Sequence, residues 1–129
     1  MLVVLESMRP QVDGIKTELG RRGDAAYLQI SSKNDPSRWA VVWTPGDAWF
    51  SLDVDGDYSF NYFEEEAPDN DVRRLLKEMV DRAVQYTLSG AAAKKGKLGL
   101  PTITLTGPEG DLVLRRSLVG HLKKVIGRS

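Results

Sequence analysis

The chain of 129 residues has no cysteine, one histidine and no long hydrophobic run. Without cysteine it has no disulfide, no thiolate nucleophile and no cysteine-based metal site. The single histidine, His121, excludes a multi-histidine metal site within one chain. No stretch approaches the roughly 20 apolar residues of a membrane-spanning helix. The start, Met1 to Leu5, is too short for a secretory signal and has no basic residues before it. We therefore expect a cytoplasmic protein with no cofactor and no bound metal.

Basic residues are missing from the middle of the chain. Between Trp39 and Val72 there are nine carboxylates and no Lys or Arg. The same stretch, with Trp39 included, holds eight of the ten aromatic residues. From Lys94 onward the balance reverses, with eight basic residues against Glu109 and Asp111, so the formal net charge of zero hides two regions of opposite sign. An acidic surface attracts basic partners and rejects acidic ones. The sequence therefore indicates binding to a basic protein.

Short alternating segments predict a mostly antiparallel sheet in one α+β domain, residues 1–129. Four of them lie at hairpin spacing and predict a four-strand meander. They are residues 26–30, 38–43, 48–54 and 58–63. Residues 102–106 and 111–115 flank the turn Gly107-Pro108-Glu109-Gly110 and predict a C-terminal hairpin.

Apolar residues at intervals of three and four predict the helices. The clearest stripe predicts a long helix over residues 70–89, which we expect to cover the apolar face of the sheet. Met8, Val12, Ile15 and Leu19 have the same spacing and predict an N-terminal helix over residues 7–19. Residues 2–5 fit either its first turn or a short strand. A short C-terminal helix is expected to begin at Ser117.

The turns fix a register for the meander. A three-residue loop, Asp55 to Asp57, pairs Leu52 with Phe60, and a four-residue loop at 44–47 pairs Trp39 with Leu52. This register puts nine side chains in the core: Trp39, Val41, Trp43, Phe50, Leu52, Val54, Tyr58, Phe60 and Tyr62. It turns six away from the core: Trp49, Ser51, Asp53, Ser59, Asn61 and Phe63.

Exposed aromatic side chains in acidic surroundings are typical of protein interfaces. Trp49 and Phe63 fit that description unless the N-terminal helix or the second hairpin covers them. The predicted partner-binding residues are therefore the two aromatics and the nearest carboxylates: Trp49, Asp53, Asp55, Asp57, Phe63, Glu64, Glu65 and Glu66.

Two segments resemble ligand-binding motifs, but each lacks residues that its motif requires. A calcium loop starting at Asp53 needs glycine at its sixth position, where Tyr58 stands, so a charged hairpin turn is favoured. Gly90 to Lys97 departs from a phosphate loop in spacing, and Leu98 replaces the Ser or Thr that would hold magnesium.

Two other functional classes remain as alternatives to protein binding. A small carboxylate-dependent hydrolase or isomerase would need two or more acidic residues lining one pocket. A nucleic-acid-binding protein would use the basic C-terminal third, although the sequence pI of about 6.6 is far below the usual basic footprint. We expect a non-catalytic protein.

The stretch from Trp43 to Leu52, continuing through Tyr58 to Glu66 and the following helix, carries a resemblance to known proteins. Residues 38–90 resemble small actinobacterial proteins that are similar to immunity proteins of bacterial polymorphic toxin systems. The resemblance implies a cytosolic protein that neutralises a cognate toxin by binding it. Many such toxins are basic nucleases, which would suit the acidic stretch.

Overall fold

The described residues form a single eight-stranded antiparallel sheet and two helices. The computed structural model describes residues 2–44, 49–56, 58–63, 69–90, 94–95, 101–106 and 110–116. In chain order the elements are α1 (Leu2–Ser7), β1 (Ile15–Arg22), β2 (Ala25–Ser32), β3 (Trp39–Thr44), β4 (Trp49–Val54), β5 (Tyr58–Phe63), α2 (Asp69–Ser89), β6 (Lys94–Lys95), β7 (Pro101–Leu105) and β8 (Leu112–Arg116). The strand order is β1-β2-β3-β4-β5-β8-β7-β6. The α+β class, the four-strand meander (β2 to β5) and the second hairpin (β7 and β8) are confirmed.

The second hairpin joins the meander edge to edge. After β5 the chain runs through α2 and returns, so that β8 pairs antiparallel with β5 through Tyr58↔Arg116 and Ser59↔Arg115. Neither described helix is both long and apolar enough to cross a membrane. The C-terminal helix expected from Ser117 lies outside the described residues.

The core lies between the sheet and the helices. Helix α2 matches the predicted helix 70–89, and its contacts with the sheet are most numerous on β3. Leu5 of α1 is fully buried in the same core cluster, so both helices pack on one face of the sheet. The fully buried core residues of the strands are Leu28, Ile30, Ala40, Val42, Phe50, Leu52, Val54 and Leu114.

The predicted helix over residues 7–19 is wrong. Helix α1 ends at Ser7, and residues 15–22 form strand β1. Gly14 has a φ of 92° and Gly23 a φ of 58°, values that glycine adopts readily and that no helix contains. Gly23 and Asp24 make a two-residue turn, because Arg22 pairs with Ala25.

The register of β4 and β5 is confirmed. Leu52 pairs with Phe60, Phe50 with Tyr62 and Val54 with Tyr58. Gly56 in the connecting turn has a φ of 88°, which explains why this position carries glycine.

The register of β3 and β4 differs from the prediction by three residues. Val42, not Trp39, pairs with Leu52, and Trp43 pairs with Ser51. Because side chains alternate across a strand, this odd shift exchanges the two faces of β3. Ala40, Val42 and Thr44 face the core instead of Trp39, Val41 and Trp43. The physical reason is the close packing of α2 on β3, which leaves room for small side chains and not for indole rings.

Candidate binding site on the open face of the sheet

The face of the sheet opposite α1 and α2 is called here the open face. Along the meander the pairings Tyr27↔Trp43 and Gln29↔Val41, continued into β4 and β5, assign side chains to it. Its described members on these four strands are Ala25, Tyr27, Gln29, Ser31, Trp39, Val41, Trp43, Ser51, Asp53, Ser59 and Asn61. The outward placement predicted for Ser51, Asp53, Ser59 and Asn61 agrees with this register.

A pocket of about 290 Å³ lies on the open face, where strands β1 to β4 meet. It is called the aromatic pocket and is lined by Arg22, Tyr27, Gln29, Trp39, Val41, Trp43 and Asp53. The Tyr27 and Trp43 rings contact each other with centroids 5.3 Å apart and planes tilted by 44°. The volume is at the lower end of ligand pockets, which suits one side chain better than a large ligand.

Glycine at position 20 shapes one wall of the pocket. Gly20 pairs with Tyr27 across the β1–β2 ladder. A Cβ atom on Gly20 would lie 2.8 Å from Tyr27 Oη and 2.9 Å from Tyr27 Cζ, so any larger residue would push the phenol away. The missing side chain therefore lets the Tyr27 ring lie across β1 and bound the pocket.

A guanidinium group already rests against the aromatic pocket. The Arg22 Cζ atom is 5.6 Å from the Trp43 ring centroid and 5.8 Å from that of Tyr27. Both distances are within the roughly 6 Å over which a cation is attracted to an aromatic face. Arg22 is exposed, so its guanidinium group remains in contact with solvent.

Asp53 brings a carboxylate to the same pocket. Ser51 Oγ donates a hydrogen bond of 2.8 Å to Asp53 Oδ1, and the Trp43 side chain also hydrogen-bonds to this carboxylate. Burial raises the pKa of Asp53 and outweighs these two hydrogen bonds, which lower it. No basic group in the described part of the chain contributes to lowering that pKa. Arg22 lines the same pocket, but among the described residues no ion pair joins a basic side chain to this half-buried carboxylate.

Asp55 lies on the other side of the sheet. Its Oδ1 accepts hydrogen bonds from the Trp39 N–H at 3.0 Å and from Tyr86 Oη of α2 at 2.8 Å. Burial of Tyr86, followed by the adjacent Asp55 carboxylate, raises the pKa of the Tyr86 phenol. The predicted acidic surface is thus divided, with Asp53 in the pocket and Asp55 in an internal network that joins α2 to the sheet.

The side chains of the other predicted partner-binding residues lie outside the described part of the structure. Trp49 pairs with Phe63 in the β4–β5 register, but their side chains lie outside the described part of the chain. Asp57 and Glu64 to Glu66 lie outside the described residues as well.

Most of the pocket residues were missed by sequence reasoning. The sequence places Arg22 beyond the predicted N-terminal helix of residues 7–19, and it places Trp39, Val41 and Trp43 in the core. The useful signal was the Gly23-Asp24 dipeptide, since glycine followed by aspartate between alternating segments is typical of a two-residue hairpin turn.

Asp53 is the one acidic side chain among the described residues that line the aromatic pocket. The carboxylate-enzyme alternative requires two acidic side chains in one pocket, and the described residues supply Asp53 alone. Within the described ranges, no three His, Cys, Asp or Glu side chains are grouped to hold a metal ion. Comparison of the chain with protein-family models, curated proteins and solved structures finds no match.

The raised pKa of Asp53 gives a testable pH dependence. The folded protein holds the Asp53 proton more tightly than the unfolded chain, so the contribution of Asp53 to stability falls as the pH rises from the ordinary pKa of 3.8 through the raised pKa. Asp53→Asn keeps a hydrogen-bond acceptor and removes the titrating group, so this pH-dependent loss of stability disappears. We expect its melting temperature relative to wild type to be higher at pH 7 than at pH 3, by calorimetry. An equal difference at both pH values would contradict the burial of the charge.

Proposed function

We propose that the protein is a non-catalytic protein-binding domain that holds a basic partner protein on its open face. The observation that carries the proposal is Asp53, a half-buried carboxylate that lines a pocket with three aromatic side chains and forms no ion pair among the described residues. A buried carboxylate without an ion pair lowers the folding stability of the free protein. It raises the affinity for a partner that supplies a positive charge at this place.

The composition of the pocket supports the same function. Binding energy in protein interfaces is concentrated in Trp, Tyr and Arg side chains near the centre of the contact. The aromatic pocket combines Trp39, Trp43, Tyr27 and Arg22 on a face that neither described helix covers. The acidic middle of the chain adds attraction for a basic protein.

In its specific form, the proposal is that the partner is a basic toxin domain and that the protein acts as an immunity protein in the cytoplasm. The resemblance of residues 38–90 to proteins similar to immunity proteins supports this form. An inhibitor needs no catalytic group of its own, because occupying the toxin surface is sufficient. The general proposal, binding of a basic protein on the open face, does not depend on the partner being a toxin.

Site-specific crosslinking tests where a partner binds. Asn61 is exposed on the open face, and Lys77 is exposed on the outer surface of α2. A photo-crosslinking residue at position 61 should trap a basic protein in the native host, and the same residue at position 77 should trap none. Trapping at position 77 alone would contradict the open-face proposal.

The partner trapped in this way allows a quantitative prediction. Asp53→Asn should weaken its binding by roughly 2–3 kcal/mol, mainly through faster dissociation, because a buried charge on the partner would lose its counter-charge. Asp81→Asn removes the same charge from the exposed surface of α2 and is the matched control. Surface plasmon resonance should show little change for Asp81→Asn. Equal effects of the two variants would show that only overall charge matters.

A further inference from the structure

We infer that the aromatic pocket is a receptor for one arginine side chain of the partner, and that Arg22 occupies part of this receptor in the free protein. The inference deepens the proposed function and rests on it for the identity of the partner. It specifies the chemical group that is recognised, the atoms that recognise it and an internal competitor.

The position of Arg22 shows that the pocket accepts a guanidinium. Its Cζ atom lies within 6 Å of two ring centroids at once, at 5.6 Å from Trp43 and 5.8 Å from Tyr27. A planar, weakly hydrated guanidinium stacks on aromatic faces better than a compact, strongly hydrated ammonium does. The rings are therefore arranged for a group of this shape.

Asp53 can accept hydrogen bonds from an additional guanidinium group. The carboxylate lines the same pocket and accepts hydrogen bonds from Ser51 and Trp43 only, among the described residues. A carboxylate has about four lone-pair sites, so further donors can be accommodated. A guanidinium entering from outside can stack on the rings and present its N–H fork to Asp53, which a lysine ammonium cannot do in a bidentate manner.

Arg22 acts as a removable cover in this arrangement. It is exposed and stands at the end of β1, next to the Gly23-Asp24 turn, so withdrawing its side chain leaves the sheet intact. An incoming arginine must displace the Arg22 guanidinium from the two rings. The cover lowers affinity for isolated cations and keeps the aromatic faces shielded in the absence of a partner.

Small probes test this receptor without any partner protein. N-acetyl-arginine amide is titrated into the isotope-labelled protein, and the Trp43 indole N–H signal is followed by NMR. We expect a saturable shift, and about tenfold weaker binding of N-acetyl-citrulline amide, the uncharged isostere, because the cation–π and carboxylate contacts are lost. N-acetyl-lysine amide should also bind more weakly than the arginine probe. Equal binding of citrulline would overturn the cation assignment, and equal binding of lysine would overturn the arginine assignment.

Two variants separate the roles of Asp53 and Arg22. Asp53→Asn should weaken the arginine probe about tenfold. Arg22→Ala should bind it more tightly than wild type, because the competitor is gone. Weaker binding of the arginine probe to Arg22→Ala would show that Arg22 supports the pocket instead of competing for it, which would overturn the inference. If the probes behave as expected and crosslinking on the open face traps no protein, the receptor stands and the partner proposal fails.

Discussion

Leu76→Ala is expected to lower the free energy of unfolding by about 2–5 kcal/mol. Leu76 is fully buried on the face of α2 that packs against the sheet, so truncation removes apolar contacts and leaves a cavity. Urea unfolding monitored by tryptophan fluorescence measures the change. Lys77→Ala, the adjacent exposed position, is the control and should change stability by less than about 0.5 kcal/mol.

A comparison with Phe60→Ala tests how α2 and the sheet share the core. The sequence predicts Phe60 as a core residue, and the structure shows it half-buried against the core cluster. Its truncation should therefore cost less than that of Leu76, although the ring is larger. A greater loss for Phe60 would show that the sheet, and not α2, contributes most of the packing energy.

The helix α2 and strands β2, β4 and β5 were predictable because local patterns decide them. In α2 the apolar stripe is wide and continuous. Between β4 and β5, a three-residue turn from Asp55 to Asp57 is the length that keeps Leu52 and Phe60 on the same face. Each of these elements has one arrangement that buries its apolar residues.

The predicted core face of β3 is wrong because the hydrophobicity of a strand does not show how much space the neighbouring helix leaves for its side chains. Residues 39 to 43 read Trp-Ala-Val-Val-Trp, and both faces of such a strand are apolar. The larger face was chosen for the core, whereas the close approach of α2 selects Ala40 and Val42. The bulky face is left to line the pocket, so the wrong register of β3 and the missed pocket have the same cause.

Strand β1 shows how a short pattern fits two periods. Ile15 and Leu19 match a helical interval of four, and they also match every second position of a strand. Gly14 and Gly23, both with positive φ, bound the strand and decide the outcome. The pocket depends on this strand, because Gly20 and Arg22 come from it.

Asp55→Ala is expected to cost roughly 2–4 kcal/mol, although Asp55 was first placed on the partner-binding surface. The substitution removes two hydrogen bonds to a carboxylate and leaves the buried Tyr86 hydroxyl without its partner. Chemical denaturation measures the loss. Asp55→Asn keeps an acceptor for one of the donors and should cost less, whereas a purely surface role would make both changes nearly neutral.

The hydrogen bond between Asp55 and Tyr86 can be isolated by a double-mutant cycle with Tyr86→Phe. If this bond joins α2 to the sheet, the double variant should be more stable than the sum of the single losses implies, by about 1 kcal/mol. Strict additivity would show that the two residues act independently. Asp55 also accepts the Trp39 N–H at the start of β3, so its loss loosens the strand that carries both pocket tryptophans. We therefore expect Asp55→Ala to weaken the arginine probe as well, and Tyr86→Phe, which leaves the Trp39 contact in place, to spare it.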